Sequence, residues 1–481
     1  MTGRSRPWIL PAILLLGLLL RLWVAAHVAV IAGDGIRRIG IAGTFAREGW
    51  SAGLQAALQA GYHPFNPVLI WLLGAPSGSF EGSGFAVSIL FGLIGIGGIF
   101  LLAREVWGER EGLLAALLWA LLPNAVHFSA DILTEGQFLA FWILSAWSGL
   151  VALKRRSSGW AFAAGALAGL AYETRPEGFG IPIFLGAALA LLAWRKGKSA
   201  VRERAWQAAA LAAGFLLLAF PYLLHLRVAK GAWMVTPHKS FMNLMTRQST
   251  VWRDSSSDPG GGGTAPPMAE YWKLAEKGMD DATPWGLALA ALGLCVRRPW
   301  ASGGIYLLGL GALQGGAVLR LLQTAGYGSH RHLMPLAVIS TAWGASGLAW
   351  GLEGLARRRS LIPGILLGGV LCGASLAQAC QRLRADKAYR REFAVWLGAH
   401  TEPDAQIATR DKPEIAYYAR RKELNFSDAF PSHAPHWLVL ERDPESDGSW
   451  LPRASLRPQY VPVPLPAHFE ARFALFRRES R

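Results

Sequence analysis

Apolar residues in this chain gather in long blocks, and polar residues fall in short clusters between them. A helix that crosses a bilayer needs about 20 mostly apolar residues. The blocks at 8–32, 84–103, 112–128, 137–153, 159–174, 179–194, 206–227, 284–297, 302–322, 333–355 and 361–380 predict about eleven such helices. The first block follows Arg4 and Arg6, but its apolar run is too long for the core of a signal peptide, so a retained helix is expected. Three stretches break the pattern. Residues 33–83 interleave Ile36, Ile39, Phe45, Leu54 and Leu58 with Arg37, Arg38, Arg47 and Glu48, the alternation of an amphipathic helix lying along a bilayer surface. Residues 228–283 contain Ser255-Ser256-Ser257-Asp258-Pro259 and the run Gly260–Gly263, as a mobile loop, a lid or a simply disordered stretch would. From 381 onward, a charged helical stretch (Arg382–Ala399) precedes strand-like runs at Ala405–Thr409, Trp437–Glu441 and Phe473–Arg477. Pro413, Pro431, Pro462, Pro464 and Pro466 punctuate them. The expected fold class is an α-helical polytopic membrane protein with an amphipathic first outer loop and a small C-terminal α/β extracytoplasmic domain. The expected domains are 1–380, which includes the outer loops 33–83 and 228–283, and 381–481. No repeat of fixed period points to a solenoid.

Composition agrees with that pattern. Of 481 residues, 52% are hydrophobic and only 17% charged, against roughly 25% charged in ordinary soluble domains. An ordinary soluble enzyme and a disordered chain are both excluded. The net charge of +16 is not evenly spread. Arg4 and Arg6, Lys154-Arg155-Arg156, the stretch from Arg195 to Arg204, Arg297-Arg298 and Arg357-Arg358-Arg359 fall on one side of an eleven-span trace, which the positive-inside rule makes cytoplasmic. The expected protein is therefore a multi-pass plasma (inner) membrane protein with its N-terminus inside and its C-terminus outside. Cys295, Cys372 and Cys380 lie in or beside apolar blocks without metal-ligand spacing, as small buried hydrophobes do.

The opposite, outer ends of the helices hold the candidate chemistry. Asp34 follows the first span within Gly33-Asp34-Gly35, where it could act on an aqueous substrate or cap the next helix. His63-Pro64-Phe65-Asn66-Pro67 heads an apolar run, and a lone His there is ordinarily a packing residue. Asp131 and Glu135 are four apart, so on a helix they would share one face. They could bind a cation, orient a sugar hydroxyl or share proton work, or simply complement a helix start. The turn Glu173-Thr174-Arg175-Pro176-Glu177-Gly178 supplies an arginine that could take a phosphate bidentately or pair with its neighbouring acids. His330-Arg331-His332 opens a later span, where snorkelling to the interface is the plain alternative.

In order, these strings resemble the C-type (GT-C) glycosyltransferase superfamily, and within it the bacterial relatives of the protein O-mannosyltransferases and of the lipid A aminoarabinose transferase. The carrying residues are Gly33-Asp34-Gly35, His63-Pro64, Pro123 followed by Ser129 and Thr134-Glu135, and Leu170 through Gly178. Arg331-His332-Leu333-Met334-Pro335-Leu336 is similar to the family's Arg-Tyr-Leu-x-Pro string, and Ile415-Ala416-Tyr417-Tyr418-Ala419-Arg420 to a string common in the family's tails. Gly35 and Arg38 stand where the family often has Glu and Tyr.

The resemblance implies transfer of one sugar, with inversion, from a polyprenyl-phosphate carrier to a glycan, lipid or protein acceptor at the outer membrane face. It makes Asp34 the catalytic base. Arg37, Arg38, Arg175, Lys239 and Arg331 are candidate cations for the phosphate leaving group. Asp131, Glu135, Glu177, His63 and His330 complete the substrate-binding candidates. No cofactor or metal is required, although Asp131 and Glu135 could hold a divalent ion, and no nucleic acid is expected as a partner. Two other classes compete. A secondary transporter would carry its charges at the bilayer midplane in two related halves. An O-antigen polymerase or ligase would centre its site on one large outer loop.

Overall fold

The computed structural model describes residues 7–196, 198–236, 239–240, 268–297, 302–325, 328–357, 362–409, 412–425, 435–441 and 460–478. The glycine run 260–263, Arg4, Arg6, Arg298, Arg358, Arg359 and Pro431 lie outside those residues, as does the side chain of Lys239. The chain forms two compact units. One comprises Met1–Ala26 and Ile41–Gln381, the other His27–Gly40 and Arg382–Arg481.

The first unit is helical. Every apolar block of the sequence is a helix or a bent helix pair: Ile9–Ala26, Phe80–Val106, Glu109–Leu121 with Pro123–Ser129, Glu135–Arg155, Ser158–Thr174, Gly180–Lys196, Lys198–Lys230, Pro284–Val296, Ser302–Ala325, His330–Arg357 and Ile362–Ala379. Among the described residues, seven helices are long and apolar enough to cross a membrane, or eight if the bent pair is one span. That pair bends by 65°. Pro123 causes the break, since the residue before a proline is driven out of the helical region, and Leu122 sits at φ −65°, ψ 117°. Polar caps begin other helices: the side chains of Ser79, Ser157 and Thr283 accept from the backbone N–H groups of Gly82, Trp160 and Gly286.

Packing in this unit relies on small residues, because lipid-like surroundings offer no hydrophobic drive between helices and close backbone approach replaces it. Ser158–Thr174 lies against Lys198–Lys230 through Gly165 and Gly214. A Cβ on Gly165 would lie 2.0 Å from the Leu211 carbonyl oxygen, and one on Gly214 would lie 2.1 Å from that of Phe162. Trp142, Tyr172 and Trp343 are fully buried in the resulting core. The stretch 33–83 forms the helices Gly33–Glu48, Trp50–Gln59 and Phe65–Ser77. There Phe45, Trp50 and Trp71 make an aromatic cluster with ring centroids 5.3–6.2 Å apart. Met234–Thr236 (β1) and Lys239–Ser240 (β2) form a short antiparallel ribbon.

The second unit is built on a five-stranded sheet. Its strands are Gln406–Thr409 (β3), Lys422–Asn425 (β4), Trp437–Glu441 (β5), Tyr460–Val463 (β6) and Phe473–Arg478 (β7), in the order β4-β3-β5-β7-β6. β3 pairs parallel to β4 and β5, whereas β7 pairs antiparallel to β5 and β6. The three runs expected as strands all take that form. The charged stretch after 381 becomes helical only at Ala388–Ala399, preceded by a 3-10 turn at Ala385–Lys387. Phe393 of that helix stacks on Phe473 at 4.0 Å and joins Ile407, Ile415, Trp437 and Phe469 in one core. Residues 27–40 belong to this unit although they precede it by some 340 positions. They include the first turn of the helix Gly33–Glu48, which carries Asp34.

Candidate active site

In the helical unit, the charged residues at the ends of three helices meet. Ser158–Thr174 stops at Arg175, which is extended at φ −155°, ψ 141° because Pro176 follows it. The chain then makes the 3-10 turn Pro176–Phe179 and folds back so tightly that a Cβ on Gly178 would lie 2.3 Å from the Tyr172 backbone nitrogen. Only glycine fits there. This turn brings Glu177 beside Arg175, whose Nε and Nη2 donate to the two Glu177 carboxylate oxygens at 3.3 and 2.7 Å. Nη1 of the same guanidinium donates to Glu135 Oε1 at 2.7 Å. Glu135 opens the helix Glu135–Arg155, where the positive end of the helix favours an acid.

The helix His330–Arg357 adds two more groups. Arg331 Nε lies 3.4 Å from Glu135 Oε1, and His332 Nε2 lies 3.5 Å from Glu177 Oε1. The Glu135 side chain is 1% exposed and that of Arg175 10%, whereas Arg331 is 39% exposed. Buried Glu135 and half-buried Glu177 therefore clamp Arg175, and Arg331 is the more exposed arginine of the cluster.

His63 is buried beside this cluster, edge-on to Tyr172 at 5.1 Å and tilted against Tyr222 at 4.9 Å. Burial pushes its ring down to about 3, with Glu177 and Arg175 acting on it in opposite directions, so it is neutral across the physiological range. Neither of its ring nitrogens has a hydrogen-bond partner among the described residues. The tyrosines are themselves tied: Tyr172 donates to the Val235 carbonyl at 2.9 Å and Tyr222 to that of Tyr62 at 3.4 Å.

A second polar group involves residues that no sequence pattern singles out. Asp281, at the end of the amphipathic helix Met268–Ala282, accepts from Asn124 Nδ2 at 2.5 Å and contacts His330 Nδ1 at 3.0 Å. His330 thus turns away from the Glu135 cluster to Asp281. The acidic pair Asp280-Asp281 was the available signal, but acidic pairs at helix ends are common. Asp131 departs from the geometry expected of it. It is fully buried in the non-helical link between Pro123–Ser129 and Glu135–Arg155, so its four-residue spacing to Glu135 is not a helical turn. The backbone carbonyl of Asp131 accepts from Leu133 N–H at 2.8 Å. Among the described residues, no group of three or more His, Cys, Asp or Glu side chains could hold a metal ion.

Asp34, Arg37 and Arg38 lie in the second unit. Asp34 is half-buried in the first turn of Gly33–Glu48, and Arg38, one turn on, is buried. Gly33 packs on Pro413, whose Cγ would lie 3.2 Å from a Cβ at that position.

Residues 63–225 match the family described as dolichyl-phosphate-mannose-protein mannosyltransferase, a span that holds His63, Asp131, Glu135, Arg175 and Glu177. Among solved structures, the chain is similar to ArnT from Cupriavidus metallidurans bound to undecaprenyl phosphate. The TM-score is 0.65 at 13% identity, over 98% of each chain. It is also similar to the oligosaccharyltransferase of Archaeoglobus fulgidus in the apo form (TM-score 0.53, 13% identity, 88% of this chain) and spans 65% of that protein's length. The likeness extends to the Archaeoglobus fulgidus oligosaccharyltransferase AglB in complex with an inhibitory peptide and a dolichol-phosphate (TM-score 0.52, 13% identity, 88% of this chain and 65% of that chain). No curated protein sequence matches. At such identities the likeness shows the fold, which is that of the GT-C glycosyltransferases expected from the sequence strings.

Proposed function

We propose that this chain, a membrane protein with the GT-C glycosyltransferase fold, moves one sugar from a polyprenyl-phosphate donor to an acceptor hydroxyl at the extracytoplasmic face. The observation that carries this reading is the Glu135–Arg175–Glu177 cluster with Arg331, built at helix ends within and beside the stretch that matches the mannosyltransferase family. A donor whose phosphate sits at headgroup level needs cations there, and arginine suits phosphate because its planar fork donates two parallel hydrogen bonds.

In the reaction, the acceptor oxygen attacks the anomeric carbon and the bond from that carbon to the phosphate oxygen breaks. Polyprenyl phosphate leaves with the electron pair, and the configuration at the carbon inverts. The proton of the acceptor hydroxyl passes to a carboxylate, which by resemblance is Asp34. The charge that grows on the departing phosphate is met by Arg331, the more exposed arginine. Arg175, whose Nε, Nη1 and Nη2 are held by Glu177 and Glu135, fixes Glu135 and so pre-orients Arg331, leaving little reorganisation for the transition state. Arg37, Arg38 and Lys239 stay as further cation candidates. Neutral His63, walled by Tyr172 and Tyr222, is suited to a sugar or phosphate oxygen rather than to carrying charge.

The test uses the purified chain in lipid nanodiscs with a panel of undecaprenyl-phosphate-linked sugars, each offered glycan, lipid and peptide hydroxyl acceptors, following release of undecaprenyl phosphate. Asp34→Asn should lower turnover by about 10²–10⁴-fold, the usual worth of a positioned base, while the protein stays folded. Wild-type turnover in Asp34→Asn would remove Asp34 from the chemistry. Failure of the wild-type protein both to bind undecaprenyl phosphate and to turn over any member of the panel would sink the transferase reading.

A further inference from the structure

The tail of the chain contains the string Ile415-Ala416-Tyr417-Tyr418-Ala419-Arg420, to which the reaction above gives no task. The contacts it makes suggest one. The segment that leads into Asp34 is not helical from 28 to 32, so its backbone donors and acceptors must find partners outside any helix. Residues 382–418 supply them one after another. Ala29 N–H donates to the Leu383 carbonyl at 3.1 Å. Arg384 Nε donates to the Val30 carbonyl at 2.5 Å. Ile31 N–H donates to the Tyr418 hydroxyl oxygen at 3.0 Å. Two residues on, Gly33 rests on Pro413, and the first helical hydrogen bond, Ile36 N–H to the Ala32 carbonyl, closes around Asp34. Ala29, Val30 and Ile31 are all buried.

The supports of this segment are themselves rigidly held. The short helix Pro413–Tyr418 is anchored by Ile415 in the sheet core and by Glu414, which accepts from Arg390 Nη1 at 2.7 Å. Arg390 also donates through Nε to Glu441 at 2.9 Å. The Tyr418 ring is capped by the Arg391 guanidinium at 5.0 Å. Arg384 takes up φ 54°, a left-handed conformation that a non-glycine residue holds only when its surroundings impose it. That conformation sits between the Leu383 carbonyl and the Arg384 side chain, both of which grip the 29–30 backbone.

We infer that the C-terminal α/β domain is a working part of the transferase: Tyr418 and Arg384 are positioning residues that hold the segment 29–33 and thereby aim Asp34. This rests on the reading of Asp34 as the base. It predicts that the domain affects the chemical step more than the affinity for the lipid carrier. Loss of a single hydrogen-bond acceptor from one backbone amide should loosen the segment without disturbing the sheet.

The experiment uses the full chain in nanodiscs, comparing wild type with Tyr418→Phe, which removes one oxygen and keeps the ring, and with Arg384→Ala. Three quantities are read: hydrogen exchange of peptides covering 27–40, kcat for undecaprenyl-phosphate-sugar turnover, and Kd for undecaprenyl phosphate alone. Tyr418→Phe should speed exchange over 27–40 by about fivefold, the worth of one net hydrogen bond. It should also lower kcat by roughly tenfold and leave Kd within twofold, with exchange in 388–399 and 413–418 unchanged. In an Asp34→Asn background, Tyr418→Phe should cause no further loss, as expected of residues that act as a unit. Unchanged kcat in both variants while Asp34→Asn is inactive would overturn the inference and leave the base reading intact. Exchange that rises throughout the tail, with kcat and Kd worsening together, would overturn it too, since Tyr418 would then be merely structural. Full activity of Asp34→Asn would instead strike at the base reading itself.

Discussion

Arg175 shows how a single residue acquires a fixed geometry. Three of its N–H groups are taken by Glu135 and Glu177, and its guanidinium lies over the Phe138 ring at 5.7 Å. Glu135→Gln would leave Arg175 tied to Glu177 but strip the negative partner from Arg331. Losing the group that orients a cation in the site should lower turnover by on the order of 10²-fold. The broken buried pair should also cost about 3 kcal/mol of stability, read separately as a lower thermal midpoint. A wild-type rate in the nanodisc assay would return Glu135 to the role of a helix-start acid. Asp281 gives a pH prediction. Burial raises its carboxyl from 3.8 to about 6, outweighing the downward pull of His330 and Asn124 and helped by neighbouring Asp280. The folded protein therefore holds this proton more tightly than the unfolded chain does. Its contribution to stability is greatest below about pH 4 and is lost as pH rises through about 6. Thermal unfolding between pH 4 and 7 should show wild type losing stability relative to Asp281→Asn over that window, and parallel curves would show that Asp281 does not titrate there. At this scale the sequence named Glu135, Arg175, Glu177 and Arg331, because charges at the ends of apolar blocks stand out. It did not name Asp281, Asn124 or the Tyr222 wall, since nothing local distinguishes those residues from ordinary helix-end or span residues.

At the scale of elements, the helices were legible and their contacts were not. Each apolar block is a helix, because a long apolar run has no other way to satisfy its backbone in lipid. The Pro123 break could be read as a turn signal, yet the consequence that Asp131 leaves the helix carrying Glu135 depends on a 65° bend that residue spacing does not encode. The pairing of Ser158–Thr174 with Lys198–Lys230 rests on Gly165 and Gly214, two of the 55 glycines in the chain. Gly214→Val should push these helices apart, because its Cβ alone would overlap the Phe162 carbonyl. The expected outcome is a sharp fall in detergent-extractable, monodisperse protein on size-exclusion chromatography, with Gly186→Val, which meets nothing within 4 Å at its Cβ, as the tolerated control. Equal yields from the two variants would mean that the helices are held together elsewhere. In the tail, β3, β5 and β7 follow from short apolar runs between prolines, whereas β4 (Lys422–Asn425) has a polar sequence and becomes a strand by pairing in parallel with β3.

For the whole molecule, the orientation is the consequence most open to measurement. By the positive-inside rule the basic clusters predict Ser158 on the cytoplasmic side and the tail outside. In a variant whose three native cysteines are replaced, Val395→Cys should label with an impermeant maleimide on intact cells, and Ser158→Cys should label only after the membrane is breached. The reverse pattern would invert the trace. By itself the sequence determined the membrane class, the helical blocks, the α/β tail and a short roster of charged helix ends, because hydropathy and charge are properties each residue carries wherever it sits. Only the tertiary structure decided which of those charges meet and which stretches of chain share a unit. It turned Arg175 between two acids, sent His330 to Asp281, and joined residues 27–40 to a domain that begins hundreds of positions later. Such choices depend on backbone breaks, close glycine contacts and hydrogen bonds between distant segments, which exist only once the chain has folded.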